Sequence, residues 1–110
     1  MPNEDQLIQF LYHGDFENFN KALEQMASRS IRGANLCGLD LRQLDAAGLD
    51  MRDCHLRRSD LRGLDLSTAL LDGASIGGAK ISGTLFPKNL GAEEINLSLV
   101  HGTRLRTIED

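Results

Sequence analysis

The sequence predicts a mainly β solenoid, in which short extended segments and tight turns wind around a leucine-rich core, with helices at both ends. Three observations predict it: apolar residues recur every five positions from Arg29 to Gly83, glycines recur two positions after most of them, and the flanking segments have helical spacing. Because a period of five matches neither a helix nor a strand, the chain has to turn once per unit.

The inward side of the repeat is defined by the central residue of each unit. Eleven units can be aligned, and all but the unit of Ala46 have a large apolar centre. We expect these centres to form the structural core: Ile31, Leu36, Leu41, Met51, Leu56, Leu61, Leu66, Leu71, Ile76 and Ile81. The residue two positions before each centre is small or apolar in all units but the first, so it is also expected to face inward. The residue between them is polar and faces outward.

Glycine marks the corners of the predicted coil. A type II turn needs a positive φ at its second central residue, and glycine adopts this conformation at little steric cost. Seven of the eleven units have glycine two positions after the centre, and we interpret these as turn glycines: Gly33, Gly38, Gly48, Gly63, Gly73, Gly78 and Gly83.

Units such as ANLCG at 34–38 and LDLST at 64–68 follow an A(D/N)LxG-like pattern, and at these residues the chain resembles the pentapeptide-repeat family. The resemblance covers about half of the chain. It implies a right-handed quadrilateral parallel β-helix in which four units form one coil of twenty residues. Eleven units then make just under three coils.

The chain departs from the family pattern where leucine replaces alanine at small inward positions. We expect large and small residues to compensate across coils, because a twenty-residue coil stacks Leu39 on Ser59 and Ala79. In the same way, Ala46 leaves room for Leu44. The substitutions therefore affect local regularity more than the fold. They are Leu39, Leu44, Leu49 and Leu64.

Length and composition predict one small domain with three parts. The chain has 110 residues, of which 41% are apolar and 25% charged. The parts are an N-terminal helical cap at 1–28, the repeats at 29–86, and a C-terminal helical cap and tail at 87–110. No run of eighteen apolar residues and no secretion leader occurs, so we expect no membrane span and a cytoplasmic location.

The cysteine pattern agrees with a reducing compartment. Cys37 falls at an outward position and Cys54 at an inward one of the same side. They are offset by three residues, roughly 10 Å at strand rise, which is too far for a disulfide. We expect two reduced thiols, with Cys54 a small core residue.

The N-terminal segment has helical spacing from Asn3 to about Ala27. Asn3 and Gln6 form a capping-box pattern, and the sequence HGD at 13–15 interrupts the apolar stripe. The pattern predicts two short helices or one broken helix that covers the first coil. We interpret the aromatic stripe as core; the alternative is a groove for a partner.

The C-terminal segment is expected to form one short helix over 89–101, with Ala92, Ile95 and Leu99 on its inward face. The polar tail after it is expected to lie loosely on the surface. Leu97 and Val100 lie outside the apolar face, which favours a weak homodimer through the C-terminal end with Leu97 at the contact. The alternative is that the tail covers them.

No residue pattern supports catalysis. The three histidines are scattered, and neither a catalytic triad, nor metal-ligand spacing, nor a phosphate-binding loop occurs, so we expect no enzyme, no cofactor and no metal site. His55 stands at an outward position near Arg57 and Arg58, which suggests an anion site. The interpretation that we favour for His55 is a solvated polar residue.

Surface charges form a pattern when twenty-residue coils are stacked. On one side Asp40 lies under Asp60, with Arg42 under Arg62. Since like charges about 5 Å apart repel, each aspartate column needs a neighbouring arginine column, and we expect interlocking ladders of ion pairs. The competing interpretation is a solvated wall of mixed charge. The ladder residues are Asp40, Arg42, Asp60 and Arg62 on one side, and Arg32, Arg52 and Asp72 beside Asp50 on another.

Two function classes fit the predicted rod. The first is a non-enzymatic scaffold that binds a protein partner through its flat sides. The second, which the family resemblance suggests, is a modulator of a type II topoisomerase that mimics DNA. Residues 29–83 have eight Lys or Arg against seven Asp or Glu, a net charge of +1. A near-neutral rod imitates poorly a duplex with one charge per roughly 1.7 Å, so we favour the scaffold and expect no direct binding of nucleic acid.

Overall fold

A computed structural model describes residues 4–108 of the chain. It has three helices, α1 (Glu4–Tyr12), α2 (Phe16–Glu24) and α3 (Ala92–His101), and the repeats lie between α2 and α3. The predicted cap residue Asn3 lies outside the described residues. None of the helices within 4–108 is long and apolar enough to cross a membrane.

The repeats are joined by isolated parallel β-bridges between residues twenty positions apart. Ser30 pairs with Asp50, Asn35 pairs with His55, and the same offset joins five further pairs. The bridging residue is the outward one that precedes each centre. One coil therefore contains twenty residues, or four units.

Each unit also closes a tight turn of its own. In all eleven units the amide three residues after the centre donates to the carbonyl of the centre, at 3.0 to 3.3 Å. This turn takes four of the five residues and leaves only one free to bridge the next coil. Within 4–108 the bridges consequently stay isolated and form no continuous strand. The prediction that the fold is mainly β is therefore not confirmed.

The corners have the backbone conformation that the glycines indicated. All seven turn glycines have positive φ, between 64° and 79°. Two other corners reach the same region without glycine, at Asp53 with φ 61° and Arg58 with φ 59°. The positive φ is thus a property of most corners, whichever residue occupies them.

The core runs along the axis of the coil. Of the ten predicted core residues, nine are at most 2% exposed. Ile81 is the exception and is half-buried, although Leu71 and Ile76 of the same last coil are buried. Ser59 is fully buried within the middle coil, and its hydroxyl donates to the carbonyl of Leu56 at 2.7 Å.

The stacking is irregular where the sequence departs from the family pattern. Within the described chain, position 45 is not bridged to position 65, although both neighbouring outward positions are bridged. The guanidinium of Arg29 instead donates to the carbonyls of Asp45 and Ala47, at 3.3 and 2.9 Å. This unit is the one with the small centre, Ala46.

The first coil is covered by α1 and α2. The helices are separated at Gly14, which has φ 70°, and Asp15 caps α2 by accepting from the amide of Asn18 at 3.2 Å. The Tyr12 hydroxyl donates to the carbonyl of Asn35 on the open edge of the first coil, at 2.6 Å. The buried side chains of the cap are Leu7, Leu11, Phe16, Phe19, Ala22 and Leu23.

The C-terminal tail pairs with the last coil, so the prediction of a loose tail is wrong. The Leu105 amide donates to Ala74 at 2.7 Å, and its carbonyl accepts from Gly73 at 2.8 Å. Ser75 and Arg104 form an antiparallel bridge, and the Leu105 side chain is 1% exposed. The open edge of a last coil presents unpaired backbone groups, and the tail satisfies two of them, the Gly73 amide and the Ala74 carbonyl.

The inward residue of α3 is Ser98, which the apolar pattern did not indicate. Its hydroxyl accepts from the Ile76 amide at 3.1 Å and donates to the Thr103 carbonyl at 2.6 Å. Ile95 and Leu99 are partly buried against the core, as expected, but Ala92 is exposed. The helix therefore docks through hydrogen bonds as well as apolar contact.

Candidate binding surfaces

The outward Asn and Asp residues have a local structural role. In six units the side-chain oxygen accepts the backbone N–H two residues later, at 2.9 to 3.2 Å. This is the Asx-turn geometry, in which a short polar side chain caps a turn. The repeat pattern predicted only that this column is outward and polar, although an Asp or Asn before each turn is itself a capping signal. The capping residues are Asn35, Asp40, Asp45, Asp50, Asp60 and Asp65.

Three units carry aspartate before the centre and arginine after it, and in each the two side chains form a bidentate ion pair. The Nε to Oδ1 distance is 2.9 Å in all three, and the Nη2 to Oδ2 distance is 2.7 to 2.8 Å. Such geometry fixes the direction of both side chains. The pairs are Asp40 with Arg42, Asp50 with Arg52, and Asp60 with Arg62.

One of the two expected ladders is continuous between coils. The Nε of Arg42 lies 3.4 Å from the Oδ2 of Asp60, so this contact connects the pair in the first coil to the pair in the second. The hydrogen bonds from Arg62 are the main cause that lowers the pKa of Asp60 to about 2. The Asp40 carboxylate likewise has its pKa lowered by Arg42.

The second expected ladder is replaced by a junction at a corner. Arg32 binds Asp53 at 3.1 Å rather than Asp50 or Asp72, and Asp53 also accepts from Arg104 of the tail. Asp72 accepts from the hydroxyl of Thr107 at 3.3 Å. The prediction that Arg32, Arg52 and Asp72 form a ladder is therefore wrong. The tail places Arg104 beside Asp53 and Thr107 beside Asp72 on this side of the coil, and the sequence did not indicate that the tail pairs here.

The histidine that suggested an anion site is not among the residues that line the clefts of Arg57 and Arg58. His55 is exposed, and its amide donates to Ala34 at 2.9 Å. Arg57 and Arg58 line two clefts, one towards Cys37 and one towards the end of α3. Among residues 4–108 no group of three or more His, Cys, Asp or Glu is arranged to hold a metal ion.

The two cysteines are free thiols in different surroundings. Cys54 is fully buried, and its sulfur lies 3.1 Å from the carbonyl oxygen of Ile31. Burial raises the pKa of the Cys54 thiol to about 11, so the reactive thiolate is scarce at neutral pH. Cys37 is exposed on the wall of a cleft.

Two apolar side chains of α3 remain on the surface. Leu97 is 37% exposed and Val100 is 65% exposed. The tail, which could have covered them, pairs with Gly73 and Ala74 instead. Both side chains are therefore open to solvent at the C-terminal end.

Comparison with known proteins agrees with the geometry of the coil. The family model for pentapeptide repeats matches residues 50–86, in eight copies. Searches of the curated proteins and of the solved structures find no match. Residues 30–49 lie before the matched stretch, yet they have the same turns and bridge to it at the same offset. Residues 50–86 are therefore pentapeptide repeats, and the coil continues them on the N-terminal side to residue 30.

Proposed function

We propose that this protein is a non-enzymatic scaffold that binds a protein partner, built on a right-handed quadrilateral β-helix of just under three coils. The twenty-residue offset of the bridges and the turn in every unit support four-sided coils. The right-handed sense is what the resemblance to the pentapeptide-repeat family implies. The inner columns form the core, and the outer columns are left for contacts.

The observation that carries the proposal is the rigid placement of outward side chains. The aspartate caps and the bidentate Asp–Arg pairs hold polar groups at fixed positions on the flat sides. A surface ordered before binding loses little conformational entropy when a partner docks on it. Such a surface suits recognition of a folded or extended protein chain.

The proposal is tested by affinity capture from the source cell with the immobilised protein, followed by binding measurements with the purified captured protein. Leu61→Ala is the control, because loss of a fully buried core side chain disrupts the surface without removing a surface group. We expect a partner that binds the wild type at micromolar or lower Kd and does not bind the unfolded control. A result in which no purified protein binds would contradict the scaffold.

The alternative, a DNA-mimicking modulator of a type II topoisomerase, is disfavoured by the ion pairs. The carboxylates of Asp40 and Asp60 are each paired with an arginine, so their column does not present the continuous negative charge of a phosphate backbone. Capture of a topoisomerase, with inhibition of its supercoiling activity, would reverse this ranking.

We also propose a weak homodimer through the C-terminal end. Its support is the exposure of Leu97 and Val100 on α3. An isologous contact would bring each Leu97 close to the same residue of the second copy. Sedimentation of the wild type beside Leu97→Glu at tens of micromolar tests it: we expect a dimer only for the wild type, and a wild-type monomer would contradict the proposal.

For the cellular location we propose the cytoplasm. The support is the two free thiols: Cys37 is exposed on the outside of the coil, and Cys54 is buried in its core. Thiols of this kind persist in reducing compartments. Fractionation of the source cell, with the protein detected by antibody, tests the location.

A further inference from the structure

Arg57 and Arg58 differ from the other arginines of the chain. Of the nine arginines in the sequence, seven form an ion pair with a carboxylate. Within residues 4–108, Arg57 and Arg58 form neither an ion pair nor a side-chain hydrogen bond. The paired ones are Arg29, Arg32, Arg42, Arg52, Arg62, Arg104 and Arg106.

The nearest carboxylates along the chain already have partners. Asp53 precedes the two arginines and binds Arg32 and Arg104. Asp60 follows them and binds Arg62, with Arg42 at 3.4 Å. Two adjacent positive charges are therefore left without local neutralisation.

The backbone at Arg58 is strained, and within residues 4–108 its side chain forms no ion pair that would explain the strain. Arg58 occupies a corner with φ 59°, where the units twenty residues before and after it have Gly38 and Gly78. A long side chain is unfavourable in this region, and such outliers concentrate at functional sites. Asp53 has a similar φ, but its carboxylate joins Arg32 to the tail, which gives that residue a structural reason.

Small residues on both sides of the arginines leave room for a ligand. Arg57 and Arg58 line two clefts, one with Cys37 and Gly38 towards the N-terminal end and one of about 240 Å³ towards the C-terminal end. Gly77 and Gly78 form the floor of this second cleft. The two clefts together extend over three stacked coils, roughly 10 Å at strand spacing. A chain of about three extended residues has this length.

The end of α3 adds an apolar wall. Leu99 and Val100 line the second cleft, and Val100 is 65% exposed. The guanidinium of Arg57 lies against the backbone of Gly102. A Cβ built on Gly102 would come within 3.4 Å of the Arg57 Nη2. The cleft thus offers two guanidinium groups next to an apolar surface.

We propose that Arg57 and Arg58 bind an acidic peptide segment of a partner protein, with its carboxylates on the two guanidinium groups and an apolar side chain on Leu99 and Val100. The inference rests on the proposed scaffold function and specifies the chemistry of its partner. Guanidinium groups bind carboxylates in bidentate fashion, and an apolar neighbour reduces the water that competes for them. A single small anion would occupy only one of the two clefts beside the arginines.

The test is fluorescence anisotropy with a labelled hexapeptide of sequence DELDEL, on the full chain. Arg57→Gln/Arg58→Gln removes the two unpaired arginines. Lys80→Gln/Lys88→Gln removes the same charge from exposed lysines that form no ion pair with any residue of 4–108, and it serves as the matched control. We expect the arginine double variant to lose at least about tenfold in affinity and the lysine double variant to stay within about twofold.

A second variant separates binding from stability. Arg58→Gly restores the residue found at this corner in the two neighbouring coils, so it relieves the strain of the positive φ. We expect its melting temperature to equal or exceed that of the wild type while its affinity for the peptide falls. Unchanged affinity in a stably folded Arg58→Gly protein would show that Arg58 does not bind the peptide.

Alkylation of Cys37 locates the ligand. Cys54 is fully buried, so iodoacetamide reports on Cys37, which lies on the wall of the cleft. We expect the peptide to slow alkylation of Cys37 in the wild type and to have no effect in Arg57→Gln/Arg58→Gln. A peptide that binds without protecting Cys37 lies elsewhere, which would overturn the proposal.

Two further results would overturn it. Equal losses in the arginine and lysine variants would indicate diffuse charge attraction, and displacement of the peptide by an equal concentration of inorganic phosphate would indicate a site for small anions. The scaffold function is tested separately. A captured partner that still binds Arg57→Gln/Arg58→Gln would reject this cleft and leave the scaffold standing, whereas a protein without any partner would reject both.

Discussion

The two ends of the coil are closed by different kinds of interaction. At the N-terminal end, α1 and α2 bury leucine and phenylalanine side chains against the first coil. At the C-terminal end, the backbone of Leu105 and the hydroxyl of Ser98 pair with the last coil. The first closure depends on an apolar pattern that is visible in the sequence. The second depends on backbone groups that every residue carries, so the sequence gives little sign of it.

The largest effect is expected from breaking the apolar closure. Phe19 is fully buried in α2, and Phe19→Ala leaves a cavity that should lower the free energy of unfolding by about 3 to 5 kcal/mol. Urea unfolding followed by circular dichroism measures it. Phe10→Ala, which changes a partly buried phenylalanine of α1, should cost less. Equal losses at the two positions would show that burial in the cap does not determine its stability.

Besides its backbone hydrogen bonds, the second closure buries one apolar side chain of the tail. Leu105 is 1% exposed, and Leu105→Ala should lower the free energy of unfolding by about 2 to 5 kcal/mol. Ile108→Ala is the matched control, because Ile108 is 62% exposed on the same tail, and it should change the stability by less than about 0.5 kcal/mol. If Leu105→Ala melts like the wild type, the tail does not close the coil.

The same contrast explains which features were predictable from the sequence. The core column and the glycine corners have a periodic signal, and Leu61 and Gly63 lie where the period places them. Arg58 has the same backbone conformation as a corner glycine, but nothing about an arginine indicates a positive φ. Ser98 and Leu105 act through partners in the last coil, and such pairing leaves no local pattern.

The candidate surfaces were predictable only in part, for the same reason. Stacking by twenty residues was enough to bring Arg42 next to Asp60. It did not indicate that Asp53 binds Arg104, since the position of the tail was unknown. Arg57 and Arg58 have no ion pair because other arginines bind the nearby carboxylates. Which arginine binds which carboxylate depends on the three-dimensional structure and cannot be read from the sequence.

A pair of glycine substitutions sharpens the difference between a plain corner and a corner that holds the tail. Gly63 and Gly73 both have φ near 75°, so alanine at either should cost roughly 1 to 2 kcal/mol in strain. A Cβ on Gly63 meets no atom within 4 Å, whereas one on Gly73 collides with the Asp53 carboxylate that binds Arg104. We expect Gly73→Ala to melt at the lower temperature. The reverse order would show that the junction at Asp53 does not hold the tail.

The smallest effect is expected from the ladder, which belongs to neither end. The Asp60 carboxylate is paired with Arg62, and its pKa of about 2 lies below the ordinary value of 3.8. Its contribution to stability is therefore present above about pH 4 and is lost as the pH falls towards about 2. Melting curves at pH 7, 4 and 2 should show a smaller acid-induced decrease for Asp60→Asn than for the wild type.

The matched control for this titration is Glu24→Gln, which removes an exposed carboxylate of α2. Its acid-induced decrease in melting temperature should equal that of the wild type. A decrease in Asp60→Asn as large as in the wild type would show that the ion pair does not contribute to the pH dependence.

Amide hydrogen exchange measured by NMR tests most directly whether the coil repeats every twenty residues and is closed at its C-terminal end by the tail. The amides of His55 and Lys80 donate across coils, to Ala34 and Ser59 respectively, and should exchange slowly. The amide of Leu105 donates to the last coil and should be protected as well. Slow exchange at all three positions is the predicted result. Fast exchange at Leu105, with His55 and Lys80 protected, would contradict the closure, and fast exchange at all three would contradict the coil itself.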